Sequence, residues 1–428
     1  MYNLRGGFLI RPLAIALALG FAGAGFSSLE ERFPFIDRWV PVTLFPSNAD
    51  PQVAQVILAG IAGSMMTVVS IVFAILLMTL TLASMQFSPR IIVSFSKDTV
   101  TQWTLGIFLG TFSYCMAALP AAHSQPVPFE PVATVLGAMV LALMCVGWLL
   151  FFIHHISQAI SVNHILDRIA RETEAVIDEL MPWPHHAESV RNTDAPSPFP
   201  EEIAILSRES GYIRFMDTQR LLELARNHRV RIRVLRRVGH FVPAGIPLMM
   251  VSKGSRLPED GSERLLAAFD FGPTRTLQQD VEFGILQIVD IGLRAISPAV
   301  NDPSTAISCV DQLSRIMIRF ASRQPPDEFL FDPPGVVRVA VGWIQFERIL
   351  DAAFEQIRMY SKTDVAVSLR LMRALRDIAG STSDAEYRHI LVERGLRTIA
   401  GCAEKLGEEE LRELRARQAM LEGLVASP

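Results

Sequence analysis

The chain has 428 residues, half of them apolar, with a net charge of -4 at neutral pH and a mean hydropathy of +0.30. A length like this would ordinarily suggest two or three soluble domains, but that balance excludes a wholly soluble assembly and points to a membrane protein carrying a soluble part. The basic residues form no long run, so no nucleic-acid partner is expected, and Cys115, Cys145, Cys309 and Cys402 lie too far apart in sequence for a disulfide framework or a CxxC motif.

The first apolar segment, residues 13–26, extends back through residues 8–12 and follows only Arg5 and Arg11. A signal peptide has a similar basic start and small residues near its end. Three further apolar segments favour retention of this one as a span. Residues 53–85 run for 33 positions without a charged side chain, well above the roughly 20 needed to cross a hydrocarbon core. This second helix must tilt, kink or project. Residues 102–119 and 132–153 supply a third and a fourth span, separated by a short loop without Lys or Arg.

Loop charges orient the spans. Arg5 and Arg11 precede the first, Arg90 and Lys97 lie between the second and third, and Arg168 and Arg171 follow the fourth, whereas residues 27–52 carry Glu30, Glu31, Asp37 and Asp50 against Arg32 and Arg38. Both termini are therefore expected in the cytoplasm. No span is expected to hold a well-buried ionisable side chain, which argues against a proton-driven transporter.

Steps of three and four along the second span pick out Gly60, Gly63, Thr67, Ser70, Ala74, Leu77, Thr81 and Ser84. Such a seam of small and hydroxyl-bearing residues has two readings. It packs helices closely, with each hydroxyl bonded inside its own helix, or copies of it surround a water-filled path. Gly106 and Gly110 form a GxxxG pair in the third span that also favours close helix contact.

The periodicity of the fourth span continues past His154 and His155 to Leu180, and it pairs Asp167 with Arg171 and Arg168 with Glu172 on the polar face. His154 and His164 would lie about 15 Å apart along one helix, too far to share a metal ion. Residues 181–202 contain five prolines and read as a linker. Beyond it, ESGYIRFMD, RVRIRVLRR and VGHFVPAGIPLMMVS suggest strands, with a short helix at residues 218–225 and another strand region at 265–272. The pattern looks like the small β-sandwich of biotinyl and lipoyl carriers, but no hairpin lysine stands ready for a cofactor, and none is expected.

From residue 281 the apolar spacing becomes helical. Phe283, Leu286, Val289 and Leu293 mark one helix, and Ala306, Val310, Leu313 and Met317 mark the next. Between them ISPAVNDPSTA reads as a corner, because Asp302 stands just before Pro303, where a helix takes an N-cap acceptor and a first-turn proline. Ser297, Asn301 and Asp302, with Asp280 and Glu282 from the preceding helix, are the candidate corner or gating residues. Residues 336–424 read as amphipathic helices.

Several motifs carry a resemblance: ASMQFSPRII at residues 83–92, FFIHHIS at 151–157, SGYI with the later VGHFVPAGIPL, and RTLQQDVEFGILQIVDIGLRAISPAVNDPSTA at 275–306. Together they resemble a family of bacterial predicted membrane proteins known as a domain of unknown function. The resemblance implies a bacterial inner-membrane protein with four spans and a cytoplasmic domain, and it supplies no activity or catalytic residue.

The expected fold is thus an α-helical membrane bundle of four transmembrane helices with a cytoplasmic α+β domain, in which a small β-sandwich-like module precedes a helical region. The boundaries are residues 1–153 for the bundle, 154–181 for a helix continuing the fourth span, 182–202 for the linker, 203–280 for the β module and 281–428 for the helical region. The expected function is a homo-oligomeric channel or pore for an ion or small solute, lined by Gly63, Thr67, Ser70, Ala74, Thr81 and Ser84 and embedded in the lipid bilayer. A non-conducting sensor or scaffold is the alternative. An enzyme is not expected, because no P-loop, GxSxG or HExxH is present, and no catalytic or metal residue is assigned.

Overall fold

The computed structural model describes residues 9–33, 51–86, 99–122, 129, 131–159, 161–183, 202–333 and 335–426. Arg5, Asp37, Arg38, Asp50, Arg90, Lys97 and most of the 182–202 linker lie outside the described residues, as does the side chain of Ser84. The chain divides into two compact units, Met1–His164 and Ile165–Pro428.

Among the described residues the first unit holds four long helices: α1 (Ile10–Arg32), α2 (Pro51–Gln86), α3 (Thr99–Ala118) and α4 (Val132–Ala159). All four are long and apolar enough to cross a membrane. The 36 residues of α2 would extend about 54 Å, against a hydrocarbon core of about 30 Å. Of the four, α3 is the most enclosed. It packs along α1 through its GxxxG pair: a Cβ built on Gly106 would stand 2.6 Å from Ile15 Cδ1, and one on Gly110 would run into Leu19. At these glycines the side chains of Ile15 and Leu19 occupy the space that a Cβ would take, so the two helices cross closely. Around them Leu58, Val72, Phe108, Cys115, Cys145 and Phe152 are buried. All four cysteines are free and buried.

Two expectations change here. The apolar segment expected to end near residue 26 continues as helix to Arg32, because Leu29, Glu30, Glu31 and Arg32 are good helix formers. The single helix expected through residues 154–181 is two: α4 ends at Ala159, and α5 (Val162–Leu180) starts afresh, with residue 160 outside the described set.

The second unit begins with α5 and continues β1 (Glu202–Leu206), β2 (Gly211–Met216), α6 (Thr218–His228), β3 (Arg231–Val234), β4 (Phe241–Val242), β5 (Pro247–Ser252), α7 (Gly261–Leu266) and β6 (Phe269–Gly272). Helices α8 (Val281–Ile296) and α9 (Pro303–Ala321) follow, then β7 (Phe329–Asp332), β8 (Val336–Val341), α10 (Phe346–Tyr360), α11 (Val365–Ser381), α12 (Ala385–Cys402) and α13 (Glu408–Ala426). A five-stranded sheet runs β1-β5-β3-β8-β7 and a three-stranded one β4-β2-β6. Ile213, Val242 and Phe269 from the smaller sheet share one core with Ile205, Ile232 and Val339 from the larger, and Leu221 of α6 joins them.

The β module is therefore not confined to residues 203–280. Strand β8 lies parallel to β3, with Ile232 opposite Val339 and Val234 opposite Val341, and β7 forms the edge beyond it. The stretch VVRVAV, expected to open a helical run, is β-branched at alternate positions, which suits a pleated surface better than a helix.

Five helix starts in this unit follow one chemical rule. Asp217, Asp280, Asp302, Asp364 and Asp384 each accept a hydrogen bond from an amide of the turn they precede, satisfying donors that a helix cannot pair internally. Helix α5 is clamped to α9 by Arg315, which donates to Glu174 at 2.9 and 2.5 Å and to Asp167 at 2.8 Å. Arg319 and Arg323 both reach Asp178, and Trp183 covers the Arg323 guanidinium at 3.7 Å from its ring centre.

Candidate functional site

The seam of α2 is outward-facing. Ala54, Leu58, Ala62, Met65 and Val72 turn into the helical unit. At about 100° per residue the seam lies roughly opposite, and Gly60, Gly63, Thr67, Ser70, Ala74, Leu77 and Thr81 are all exposed. A Cβ on Gly60 or Gly63 would meet nothing within 4 Å, in contrast to the filled surroundings of Gly106 and Gly110. The hydroxyls are bonded within their own helix: Thr67 donates to the Gly63 carbonyl at 3.2 Å, Ser70 to Met66 at 2.9 Å and Thr81 to Leu77 at 2.8 Å. Exposed Met66, Ile71, Phe73 and Met78 flank the seam.

Glu30 overturns the expectation that no span carries a well-buried ionisable group. It is fully buried in the last turns of α1, and its carboxylate accepts from the Ala133 amide at 2.7 Å, the Thr134 amide at 2.8 Å and the Thr134 hydroxyl at 2.6 Å. These are the first-turn donors of α4, which starts after Pro131 with no capping side chain of its own at that position. An anion at a helix N-terminus meets both unpaired amides and the positive end of the dipole. The sequence signal was that missing cap, and its supplier lies more than a hundred positions upstream.

The ISPAVNDPSTA corner turns the chain between α8 and α9. Asn301 takes a left-handed conformation, φ 51°, and Asp302 accepts from the Thr305 amide at 3.1 Å and its hydroxyl at 2.6 Å. Those bonds hold the Asp302 carboxyl below its usual range. Ser297 is spent on the Arg294 carbonyl at 2.7 Å. Asp280 and Glu282 are not brought to this corner. They sit at the opposite end of α8, whose 16 residues span about 24 Å.

There they belong to a buried ionic cluster with partners the sequence reading did not single out. Arg275 binds Asp280 through both carboxylate oxygens at 2.7 and 2.8 Å and reaches Glu282 at 3.0 Å. Arg237 reaches Glu282 at 3.2 Å and donates to His240 Nε2 at 2.9 Å. Arg348 stands 3.7 Å from Glu282. Asp280, 3 % exposed at its side chain, also caps α8 through the Phe283 amide. Gly239 makes the approach possible: its φ is +88°, and a Cβ there would press on Asp280 and lie 2.9 Å from the Arg275 guanidinium.

Burial pushes the Asp280 carboxyl up, against its bonds from Arg275 and Phe283. Burial also opposes ionisation of Glu282, but Arg237, Arg275 and Arg348 outweigh it and hold that carboxyl below its usual range. His240 is pushed down by burial and then by the neighbouring Arg237 and Arg348 charges, which suits a ring whose Nε2 accepts from Arg237. Carboxylates neutralised in this way are poor cation ligands. The cluster is a rivet between α8, the β3–β4 loop and α10. The apolar cleft beside it, lined by Met181, Met216, Val238, Phe320 and Trp343, has a volume of about 50 Å³. That is room for a water or two, far short of the roughly 300–1,000 Å³ of a ligand pocket.

Four membrane-length apolar helices followed by an α/β unit define a membrane protein with a large non-spanning portion. The chain belongs to the family described as "Predicted membrane protein (DUF2254)", which matches residues 5–377. It is 32% identical over 410 residues to uncharacterized proteins of Mycobacterium bovis and Mycobacterium tuberculosis H37Rv, a match covering 94% of this chain and 77% of each relative. No solved structure matches significantly.

Proposed function

We propose that the protein is a homo-oligomeric channel or pore of the bacterial inner membrane, with the seam of α2 nearest the axis and the second unit assembling or gating it. The observation that carries this reading is the direction of the seam. A face turned to lipid is expected to carry large apolar side chains, yet the face of α2 turned from its own unit is small and hydroxyl-bearing, while Met66, Ile71, Phe73 and Met78 stand beside it where lipid contact needs them. A second copy of the same helix fits a surface where backbones can approach closely, and a head-to-tail contact of this kind either closes into a ring or grows without limit, so a membrane assembly of defined size is a closed ring. The in-helix hydroxyl bonds still leave oxygen lone pairs to face water along such an axis. The Lys and Arg distribution supports a cytoplasmic position for both termini and, with them, for the second unit.

Ser70→Leu or Thr81→Leu should narrow and dry the path, lowering ion flux in liposomes while leaving the oligomer intact. Wild-type liposomes no leakier than empty ones, across several salts and potentials, would remove the conducting reading and leave the sensor or scaffold in its place.

A further inference from the structure

A concave basic surface lies in the second unit, away from the ionic rivet. Its walls are Arg229 at the end of α6, Arg231 at the start of β3, Lys253 and Arg256 after β5, and Arg338 on β8, with buried Ser252 at its floor. Its volume is about 400 Å³, within the roughly 300–1,000 Å³ of small-molecule sites and eight times that of the apolar cleft. The chain as a whole is acidic, with net charge -4, yet five cations and no carboxylate line this bowl. Asp332, outside the lining, binds Arg338 at 3.2 Å and Arg226 at 3.1 Å. Arg256 donates to the Arg229 carbonyl at 3.3 Å.

The backbone points the same way. Three non-glycine residues among those described have positive φ: Arg229 at 51°, Lys253 at 56° and Asn301 at 51°. Asn tolerates that conformation, whereas long basic side chains are uncommon in it. Arg229 occupies the position after α6 where glycine or asparagine ordinarily ends a helix. Two of the three residues thus keep a cation at the rim where a smaller residue would relieve the backbone.

We propose that this bowl binds a phosphate ester, its anionic phosphate held by Arg229, Lys253 and Arg256 and its organic part lying in the remaining volume. Bare phosphate would fill only part of the space, and arginine forks match phosphate oxygens geometrically. A soluble nucleotide and a phospholipid headgroup share this chemistry. The site does not depend on whether the helices conduct.

The test uses the full chain in neutral detergent micelles with two probes, ADP in solution and phosphatidylglycerol mixed into the micelle, and adenosine as the phosphate-free control. One variant joins Arg229→Asn and Lys253→Asn, since asparagine retains the left-handed backbone. A second is Arg256→Gln. Saturable binding of ADP, absent for adenosine and weakened by salt, assigns a soluble ligand; binding of phosphatidylglycerol alone assigns a headgroup. In either case affinity should fall about tenfold for each cation removed, with the thermal unfolding midpoint no lower than that of the wild type. If neither probe binds wild type more tightly than both variants, the proposal is overturned.

Discussion

The two units fix their helices by different chemistry. In the second, five helix starts are capped by local aspartates and helix pairs are held by arginine forks, as where Arg394 binds Asp351 at 2.7 Å and Glu347 at 2.7 Å. In the first, the described helices meet through glycine contacts and apolar side chains, the hydroxyls of α2 bond within their own helix, a few polar groups cross between helices, as where the Tyr114 hydroxyl donates to the Thr134 carbonyl, and Glu30 supplies a cap from a distant part of the chain. Water accounts for the contrast. A surface charge near solvent needs little from its partner, whereas a polar group in an apolar setting must be satisfied by the protein itself. Each exception then carries more weight in the first unit, and the unfilled seam of α2 becomes conspicuous beside the filled α1–α3 contact.

The ionic rivet is the strongest challenge to that contrast, because in Asp280 it buries a carboxylate, whereas the other described carboxylates of that unit lie nearer water. Arg275→Ala should cost about 3–5 kcal/mol by leaving Asp280 and Glu282 without their shared partner, read from chemical denaturation of the full chain in detergent. A loss under about 1 kcal/mol, the range of an exposed pair, would show that the cluster behaves as a surface bridge. Glu30→Ala should cost on the order of 2–3 kcal/mol, since charge-assisted bonds to two amides are lost together. Glu30→Gln should recover part of that through its remaining carbonyl acceptor. Equal stability of all three proteins would mean that the α4 amides find other partners. The smallest effect belongs to the corner: Asp302→Ala should cost about 0.5–2 kcal/mol and Asp302→Asn should restore most of it. Loss of flux or ligand response in a stably folded Asp302→Asn protein would instead make the charge itself functional.

Local signals were legible in the sequence. The Asp-Pro start of α9, the small-residue spacing of α2 and the GxxxG of α3 each reside within a few residues, and the structure returns them as a cap, an outward seam and a close crossing. Long-range pairings were not. Strand β8 pairs with β3 across α8 and α9, so neither VVRVAV nor RVRIRV announces its partner. Glu30 looks like part of an acidic loop until α4 is placed against it. Asp280 and Glu282 stood out as carboxylates, but the arginines that neutralise them arrive from residues 237, 275 and 348, and this changes them from candidate ligands into structural ions. The basic bowl was hidden for the same reason, its cations coming from the ends of three strands and one helix.

The parallel pairing of β3 with β8 also sets an order of events during synthesis. Strands β1, β5 and β3 are complete well before β8, about a hundred residues further on, has left the ribosome. Until then β3 has an unpaired edge carrying Ile232 and Val234, the kind of surface on which chains stick to one another. Closure waits for a connection that contains three helices and four strands, and distant strand partners are slow to find. Translation that stops before Val336 therefore leaves a nascent sheet with an open flank, and the hazard ends only when the later strand docks.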